Sequence, residues 1–242
     1  MKTIFGIDFG TTNSVLAINK NGNCGVADID GYASNKKTLR SVIYANEDHR
    51  FFMGQEGINE YVKDGAIGKF MQSIKSFLPS EAFARIFVNE ESYEIEDLIA
   101  MIIKKIKDQG ERLVEENVED VVIGRPSVFS DDPRRDKMAE ERLVLSFMKA
   151  GFKNVYVQYE PIAAALGYEA SLKDGEEKIM LVGDFGGGTS DFTVVKLRGG
   201  DYAKGKHDRK NDILSVGGVY IGCDTFDSRI MWEKVAKYFG KD

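Results

Sequence analysis

Cysteine and histidine are scarce in this sequence of 242 residues. Cys24 and Cys223 are its two cysteines and lie far apart, so they are not the framework of a small disulfide-stabilised fold, and we expect a reducing compartment. The two histidines, His49 and His207, lie in separate polar stretches without cysteine or histidine neighbours. This spacing argues against a zinc site.

An excess of positive charge and a long apolar run are also lacking. The 33 lysines and arginines against 39 aspartates and glutamates leave a net charge of −6. This argues against nucleic acid and anionic membranes as partners, because both require a basic surface. No run approaches the roughly 20 apolar residues of a membrane span, and Asp8 interrupts a first apolar run that is too short for a signal peptide. We therefore expect a cytoplasmic protein with neither a nucleic-acid nor a membrane partner.

Several common site motifs are absent from the sequence. It contains no Gly-x-x-x-x-Gly-Lys-Ser/Thr, no dinucleotide-binding glycine fingerprint at the start of a helix, no Gly-x-Ser-x-Gly and no His-Glu-x-x-His. The chain is therefore not a P-loop protein.

The sequence contains instead two similar stretches, residues 8–14 (DFGTTNS) and residues 184–191 (DFGGGTSD). Both have an aspartate, glycine and threonine in the same order. Each lies between apolar, β-branched runs, which predicts a strand, a tight glycine-rich turn and a second strand, twice along the chain. Glycine permits a sharp turn whose successive amide N–H groups point into one concavity, and threonine hydroxyls at its edge suit phosphate oxygens. The candidate phosphate-binding residues are Gly10, Thr11, Thr12, Asn13, Gly186, Gly187, Gly188 and Thr189.

An aspartate precedes each turn, Asp8 in the first stretch and Asp184 in the second. Because a carboxylate repels a bare phosphate, this arrangement favours a cation between them, and Mg²⁺ with oxygen ligands and retained waters is the natural candidate. Two such hairpins facing each other would bind a nucleotide polyphosphate and its metal from both sides. Ordinary hairpin turns, which also favour Asp, Gly, Thr and Asn, stay open as the alternative.

Hydrophobic periodicity predicts an α/β architecture, in a chain long enough for two lobes. The clearest helix covers residues 95–106, and another covers residues 68–79, with Lys75 as a solvated side chain beside its apolar stripe. Residues 199–212 are predicted to form a charged loop. Further predicted helices are residues 55–62, 130–150, 159–168 and 224–239. The predicted strands are residues 3–7, 15–18, 25–30, 41–45, 51–54, 85–88, 91–93, 118–124, 155–157, 179–182, 192–195 and 213–222.

Four ordered segments carry a family resemblance. Residues 6–14 and residues 184–191 look like the first and second phosphate loops of the Hsp70 (DnaK) chaperone ATPase domain. Residues 122–168 resemble the segment that connects these loops, and residues 221–227 are similar to the family's Gly-Gly-x-Asp-Phe-Asp. The resemblance spans nearly the whole chain and implies an α/β, actin-like ATPase (ribonuclease H-like) fold.

The resemblance also implies a division into lobes. Residues 1–172 would be a complete lobe I of the nucleotide-binding domain, with a small subdomain inserted at about residues 35–118, and residues 173–242 would be only part of lobe II. The family's adenosine-binding glycine motif and its peptide-binding domain would follow beyond this chain. We therefore expect the N-terminal portion of a longer, ATP-hydrolysing chaperone, and we expect this portion alone to bind nucleotide weakly and to be inactive.

Carried over by position, the resemblance implies roles for individual residues. Asp8 and Asp184 would hold Mg²⁺ through its waters, and Asp184 or Asp191 would help to orient the attacking water. Lys75 would lie near the γ-phosphate and stabilise charge that develops on the transferring phosphoryl group. Glu160 would be an acid coupled to the metal.

The remaining implications concern signalling and partners. Pro126 and Arg134 would relay the nucleotide state. The implied cofactors are ATP or ADP and Mg²⁺, with K⁺ as a further candidate, and co-chaperones and unfolded client polypeptides would bind through the part beyond this chain. The chain departs from the family pattern at three positions, with Ser190 for Phe, Tyr159 for Asn and Cys223 for Gly. In these departures it resembles the shorter, divergent Hsp70-like proteins.

Three other functions remain open from the residues. An actin- or MreB-type cytoskeletal ATPase shares both phosphate loops, although the run of residues 11–14 and the segment around Lys75 are more like Hsp70. A small-molecule kinase of the same superfamily would need a general base for a substrate hydroxyl, which is not visible here. A non-hydrolysing pseudo-ATPase would keep the fold as a partner surface.

Overall fold

The computed structural model describes residues 2–200, 209–219 and 221–240. The chain divides into two compact units, Met1–Gln158 and Tyr159–Asp242. Both contain sheets and helices, which confirms the predicted α/β class. The lobe boundary predicted between residues 172 and 173 stays a prediction, and the predicted loop around His207 lies outside the described residues.

The elements are given in chain order. The strands of the described residues are β1 (Ile4–Phe9), β2 (Asn13–Lys20), β3 (Asn23–Val26), β4 (Leu39–Arg40), β5 (Val42–Ala45), β6 (Phe51–Met53), β7 (Lys69–Gln72), β8 (Arg85–Val88), β9 (Glu91–Glu94), β10 (Asp120–Arg125), β11 (Asn154–Tyr159), β12 (Glu177–Phe185), β13 (Ser190–Arg198) and β14 (Ile213–Val219). The α-helices are α1 (Gln55–Lys63), α2 (Ile95–Val114), α3 (Pro133–Lys149), α4 (Glu160–Glu169) and α5 (Cys223–Ile230).

The main sheet of the first unit has the strand order β11-β10-β1-β2-β3, and β4 pairs with β2. Strand β1 runs parallel to β10 and antiparallel to β2, so the first predicted hairpin lies in the middle of the sheet. Phe5, Ile7 and Phe9, at alternate positions of β1, are all buried. This period of two is the pattern of a strand with one covered face.

Helix α2 packs closely against this hairpin. The side chains on one of its faces are fully buried, which confirms the helix predicted over residues 95–106: Ile95, Leu98, Ile99, Ile102, Ile103 and Ile106. The helix comes close to the strands at Gly110. A Cβ there would lie 2.7 Å from Leu16 Cδ2 and 2.8 Å from the ring of Phe5.

The helix predicted over residues 68–79 is wrong. Lys69–Gln72 is strand β7, which pairs antiparallel with β5, and a short 3-10 helix follows at Ile74–Phe77. Ser73 between them has a left-handed backbone with φ 56°, which a continuous right-handed helix does not allow. Pairing with β5 has therefore overridden the helical spacing of the apolar residues.

The strand predicted over residues 25–30 is also displaced. Strand β3 ends at Val26, and the buried carboxylate of Asp30 then organises a turn. Asp30 accepts hydrogen bonds from the backbone N–H of Tyr32 at 3.1 Å and of Gln55 at 2.9 Å. A carboxylate that bonds the backbone in this way favours a turn over a strand.

The second unit is built on the antiparallel sheet β12-β13-β14. Helix α4 packs on the sheet, and their shared core contains Ile162, Ala165, Val195 and Leu197. The helix predicted over residues 159–168 is confirmed by α4.

The charged loop predicted over residues 199–212 ends with two buried charged side chains, Arg209 and Asp212. Arg209–Asp212 forms a short 3-10 helix. The Arg209 guanidinium donates to both carboxylate oxygens of Glu169 at 2.8 Å and to Asp212 Oδ2 at 2.5 Å. All three side chains are buried, and pairing offsets the cost of removing their charges from water.

The last two predicted elements are shorter than expected. Residues 221 and 222 lie outside strand β14, and the helix predicted over residues 224–239 is α-helical only to Ile230. A π-helical turn at Met231–Val235 and a 3-10 turn at Ala236–Phe239 follow. No residue of these three helical segments is buried, so packing does not impose one α-helical register on them.

Among the described residues, none of the helices combines the length and the apolar character that crossing a bilayer requires.

The close packing at Gly110 is testable. Gly110→Ala is expected to lower the free energy of unfolding by about 1–3 kcal/mol, although alanine is the better helix former, because the new methyl group meets the fully buried Leu16 and Phe5. Gly167→Ala in α4 is the matched control, since a Cβ there meets nothing within 4 Å. It should raise the free energy of unfolding by about 0.5–1 kcal/mol. Urea denaturation of both variants checks this, and a change of the same sign in both would contradict it.

Candidate functional site

The first glycine-rich turn, residues 10–13 (loop 1), connects β1 to β2. Phe9 pairs with Ser14 at the base of the hairpin, and the Gly10 N–H donates to the Asn13 carbonyl oxygen at 3.0 Å. A Cβ added at Gly10 would overlap that same oxygen. This close approach explains why glycine stands at the first position of the turn.

Neighbouring groups hold loop 1 from one side. The Ser41 N–H donates to the Thr12 carbonyl at 2.9 Å, and the buried hydroxyls of Ser14 and Ser41 are 2.9 Å apart. Arg40 Nη1 donates to Asn13 Oδ1 at 3.2 Å. Among the described residues, the buried Thr12 hydroxyl has no hydrogen-bond partner. A buried hydroxyl without a hydrogen-bond partner is rare in proteins. The Thr12 hydroxyl therefore indicates that loop 1 can form a hydrogen bond with a further polar group.

The second turn, residues 186–189 (loop 2), repeats this geometry between β12 and β13. Phe185 pairs with Ser190, and the Gly186 N–H donates to the Thr189 carbonyl at 2.9 Å. Thr189 Oγ1 also donates to Asp191 Oδ2 at 2.6 Å. The two strand–turn–strand elements predicted from the sequence are therefore both present, each with the same four-residue turn.

The preceding aspartates occupy equivalent places in the two hairpins. Asp8 lies opposite Val15 in the β1–β2 pair, and Asp184 lies opposite Asp191 in the β12–β13 pair. Among the described residues, no group of three or more His, Cys, Asp or Glu side chains is arranged to hold a metal ion directly. Magnesium held through waters stays a prediction.

Helix α5 contacts loop 2, and this contact was not predicted from the sequence. The N–H of Cys223 donates to the Gly186 carbonyl at 3.0 Å, and the N–H of Asp224 donates to the Gly187 carbonyl at 2.9 Å. Gly222 precedes the helix, and a Cβ there would overlap the Gly187 carbonyl oxygen. The glycine in the segment of residues 221–227 was the available signal for this contact.

Lys75 is buried, and Glu160 is partly buried. The predicted solvated setting of Lys75 is wrong, because the residue is only 9% exposed within the 3-10 helix Ile74–Phe77. Burial of a lysine is unusual in proteins. Glu160 is the first residue of α4, where the helix dipole favours a carboxylate, and Pro161 follows it in the first turn.

The predicted relay pair, Pro126 and Arg134, has an unexpected neighbour in Arg125. The Arg134 side chain is 92% exposed and lies 3.6 Å from Asp132. Arg125 is buried instead, and its Nε donates to the Pro126 carbonyl at 3.0 Å. Arg125 was missed because it ends a strand next to a proline and belongs to no motif.

Two carboxylates hold the Arg125 guanidinium. Arg125 Nη2 donates to both oxygens of Asp136 at 2.9 and 3.0 Å, and Nη1 donates to Glu140. Burial alone would lower the pKa of Arg125, but the hydrogen bonds with Asp136 and Glu140 outweigh it and raise the pKa above its ordinary value. The cluster fixes the strand end that carries Pro126 onto α3.

The predicted site residues fall in both compact units. Loop 1, Lys75, Pro126 and Arg134 belong to Met1–Gln158, and loop 2, Asp191 and Glu160 belong to Tyr159–Asp242. Within the second unit, loop 2, Asp191 and the start of α5 are brought together by hydrogen bonds.

Comparisons with known proteins agree with the motifs. The family model described as Hsp70 protein matches residues 66–242. A curated relative, the chaperone protein DnaK of Thermosipho melanesiensis, is 28% identical over 242 residues. The alignment covers 99% of this chain and 37% of the relative, so the chain spans little more than a third of that protein's length.

The different settings of the two arginines are testable. Arg125→Ala is expected to lower the free energy of unfolding by about 2–3 kcal/mol, because it leaves the carboxylates of Asp136 and Glu140 without their guanidinium. Arg134→Ala, the exposed control, should change it by less than about 0.5 kcal/mol. Chemical denaturation of both variants measures the difference, and equal losses would show that the buried pairing is not what stabilises this segment.

Proposed function

The chain belongs to the Hsp70 family, and from this we propose that it is the ATP-binding part of an Hsp70-like molecular chaperone. The bound ligands are ATP or ADP with Mg²⁺, and loops 1 and 2 bind the phosphates. The observation that carries this proposal is the repeated turn, in which Gly10 and Gly186 each donate to a carbonyl three residues later.

The residues of both loops fit a phosphate and a hard cation. Loop 1 offers the Thr11 and Thr12 side chains, and the buried Thr12 hydroxyl lacks a hydrogen-bond partner among the described residues. Loop 2 offers the successive amides of Gly187 and Gly188, because the Gly186 N–H is bonded to the Thr189 carbonyl within the turn. Successive amides in a tight turn bind anions. Asp8 and Asp184 supply carboxylate oxygens that would hold Mg²⁺ through its waters.

Each remaining site residue has a proposed task. Lys75 stabilises the negative charge that develops on the γ-phosphate, and Asp184 or Asp191 orients the attacking water. Glu160 is an acid coupled to the metal site. The Mg²⁺ ion neutralises phosphate charge when it is bound. Pro126 and Arg134 stay the candidate relay pair for the nucleotide state.

Several parts of the proposal concern the whole protein, because the chain spans only 37% of the length of its relative. These are ATP hydrolysis, K⁺ as a further ion, an actin-like fold, and unfolded clients and co-chaperones as partners. In the same proposal residues 1–172 form lobe I, with an insertion at about residues 35–118, and residues 173–242 form part of lobe II. The cellular setting that we propose is the cytoplasm.

Calorimetry tests the proposal by measuring the binding of Mg-ATP, Mg-ADP and Mg-tripolyphosphate. The full-length natural protein and the 242-residue chain are measured in parallel. Asp8→Ala and Lys75→Ala are each expected to weaken Mg-ATP binding to the full-length protein at least about ten-fold, because each removes a charged partner of the phosphates or their metal. Asp28→Ala and Lys69→Ala change exposed residues of the same charge and serve as controls.

The outcomes separate the alternatives. Unaltered binding and turnover in both Asp8→Ala and Lys75→Ala, with the fold intact by circular dichroism, would refute the site. Binding without phosphate release would indicate a pseudo-ATPase. Filaments that form with ATP and depend on protein concentration would indicate a cytoskeletal ATPase.

A further inference from the structure

Ser190 makes a hydrogen bond that ties the end of loop 2 to the segment before α5. It is the first residue of β13, it is buried, and its Oγ donates to the Ile221 carbonyl at 2.7 Å. Ser190 also replaces the phenylalanine that the Hsp70 resemblance leads one to expect. The hydroxyl is therefore a feature of this chain rather than of the motif.

The first two amides of α5 set the direction of the peptide groups in loop 2. The N–H groups of Cys223 and Asp224 donate to the carbonyls of Gly186 and Gly187. In a trans peptide the carbonyl and the next N–H point in opposite directions, and none of the described peptide bonds is cis. The N–H groups of Gly187 and Gly188 therefore point away from α5.

Gly222 makes this approach possible. A Cβ at that position would overlap the Gly187 carbonyl oxygen and lie 2.7 Å from the Gly186 carbonyl oxygen. Both obstacles are backbone atoms, which cannot rotate aside as a side chain can. Any residue other than glycine would therefore push the start of α5 away from loop 2.

We propose that Ser190 and Gly222 are positioning residues that hold loop 2 against α5 and thereby orient the amides of Gly187 and Gly188 for a phosphate group. We call the contacts of Ser190, Gly222, Cys223 and Asp224 with this segment the α5 clamp. The ligand is the phosphate chain of a nucleoside di- or triphosphate, and this assignment rests on the proposed function. The clamp itself does not, because it consists of hydrogen bonds within the chain.

Two readouts on the 242-residue chain test the clamp, amide hydrogen exchange of Cys223 and Asp224 by NMR and calorimetry with Mg-tripolyphosphate. Ser190→Ala is expected to speed exchange at both amides about five-fold, the effect of losing one hydrogen bond, and to weaken tripolyphosphate binding by a similar factor. Ser190→Thr keeps the hydroxyl and should restore both values. Gly222→Ala should have larger effects than Ser190→Ala on both readouts.

Gly217→Ala is the matched control, because a Cβ at this glycine of the neighbouring strand meets nothing within 4 Å. It should leave both readouts unchanged. Unchanged exchange in both Ser190→Ala and Gly222→Ala would overturn the clamp. Faster exchange with unchanged tripolyphosphate affinity would overturn its positioning role. The proposed function would be refuted if the wild-type 242-residue chain did not bind Mg-tripolyphosphate and the full-length protein did not bind Mg-ATP. The hydrogen-exchange data would still decide whether the clamp forms.

Discussion

The turn in which a glycine N–H bonds the carbonyl three residues later is the constraint on which the candidate site depends. It occurs at Gly10 with Asn13 and again at Gly186 with Thr189. Only a residue without a Cβ can bring its backbone so close to that carbonyl at Gly10. Because each turn joins two paired strands, the strands fix where its amides and hydroxyls lie. The strand pairing therefore fixes the backbone geometry of both loops.

The surroundings of the two loops differ although their turns agree. Loop 1 is supported by side chains and backbone of residues 40 and 41, including the buried contact between Ser14 and Ser41. Loop 2 is supported by the start of α5 and by the Ser190 hydroxyl. The same local turn has thus been stabilised by unrelated partners. The steric demand for glycine also differs, since a Cβ would overlap the Asn13 carbonyl oxygen at Gly10 but would lie 3.5 Å from the Thr189 carbonyl oxygen at Gly186.

Two buried arginines of the described residues are each paired with two carboxylates. Arg125 lies between Asp136 and Glu140 in the first unit, and Arg209 bonds Glu169 and Asp212 in the second. Removing one partner of such a pair costs more than the pair contributes, since a buried charge is then left alone. Arg125 was overlooked in the sequence because arginines are mostly exposed, and only the approach of α3 to β10 makes this one different.

The sequence alone determined the two hairpin turns, the α/β class and the helix at α2, because each depends on residues that are neighbours along the chain: glycine, β-branched runs and a regular apolar spacing. Tertiary structure decided the rest. Residues 69–72 became a strand because β5 offered a partner, and Lys75 came to lie buried in the first unit. The helix after Gly222 changed geometry where the described part of the chain buries none of its residues. Such outcomes depend on contacts between residues distant in sequence, which no local pattern encodes.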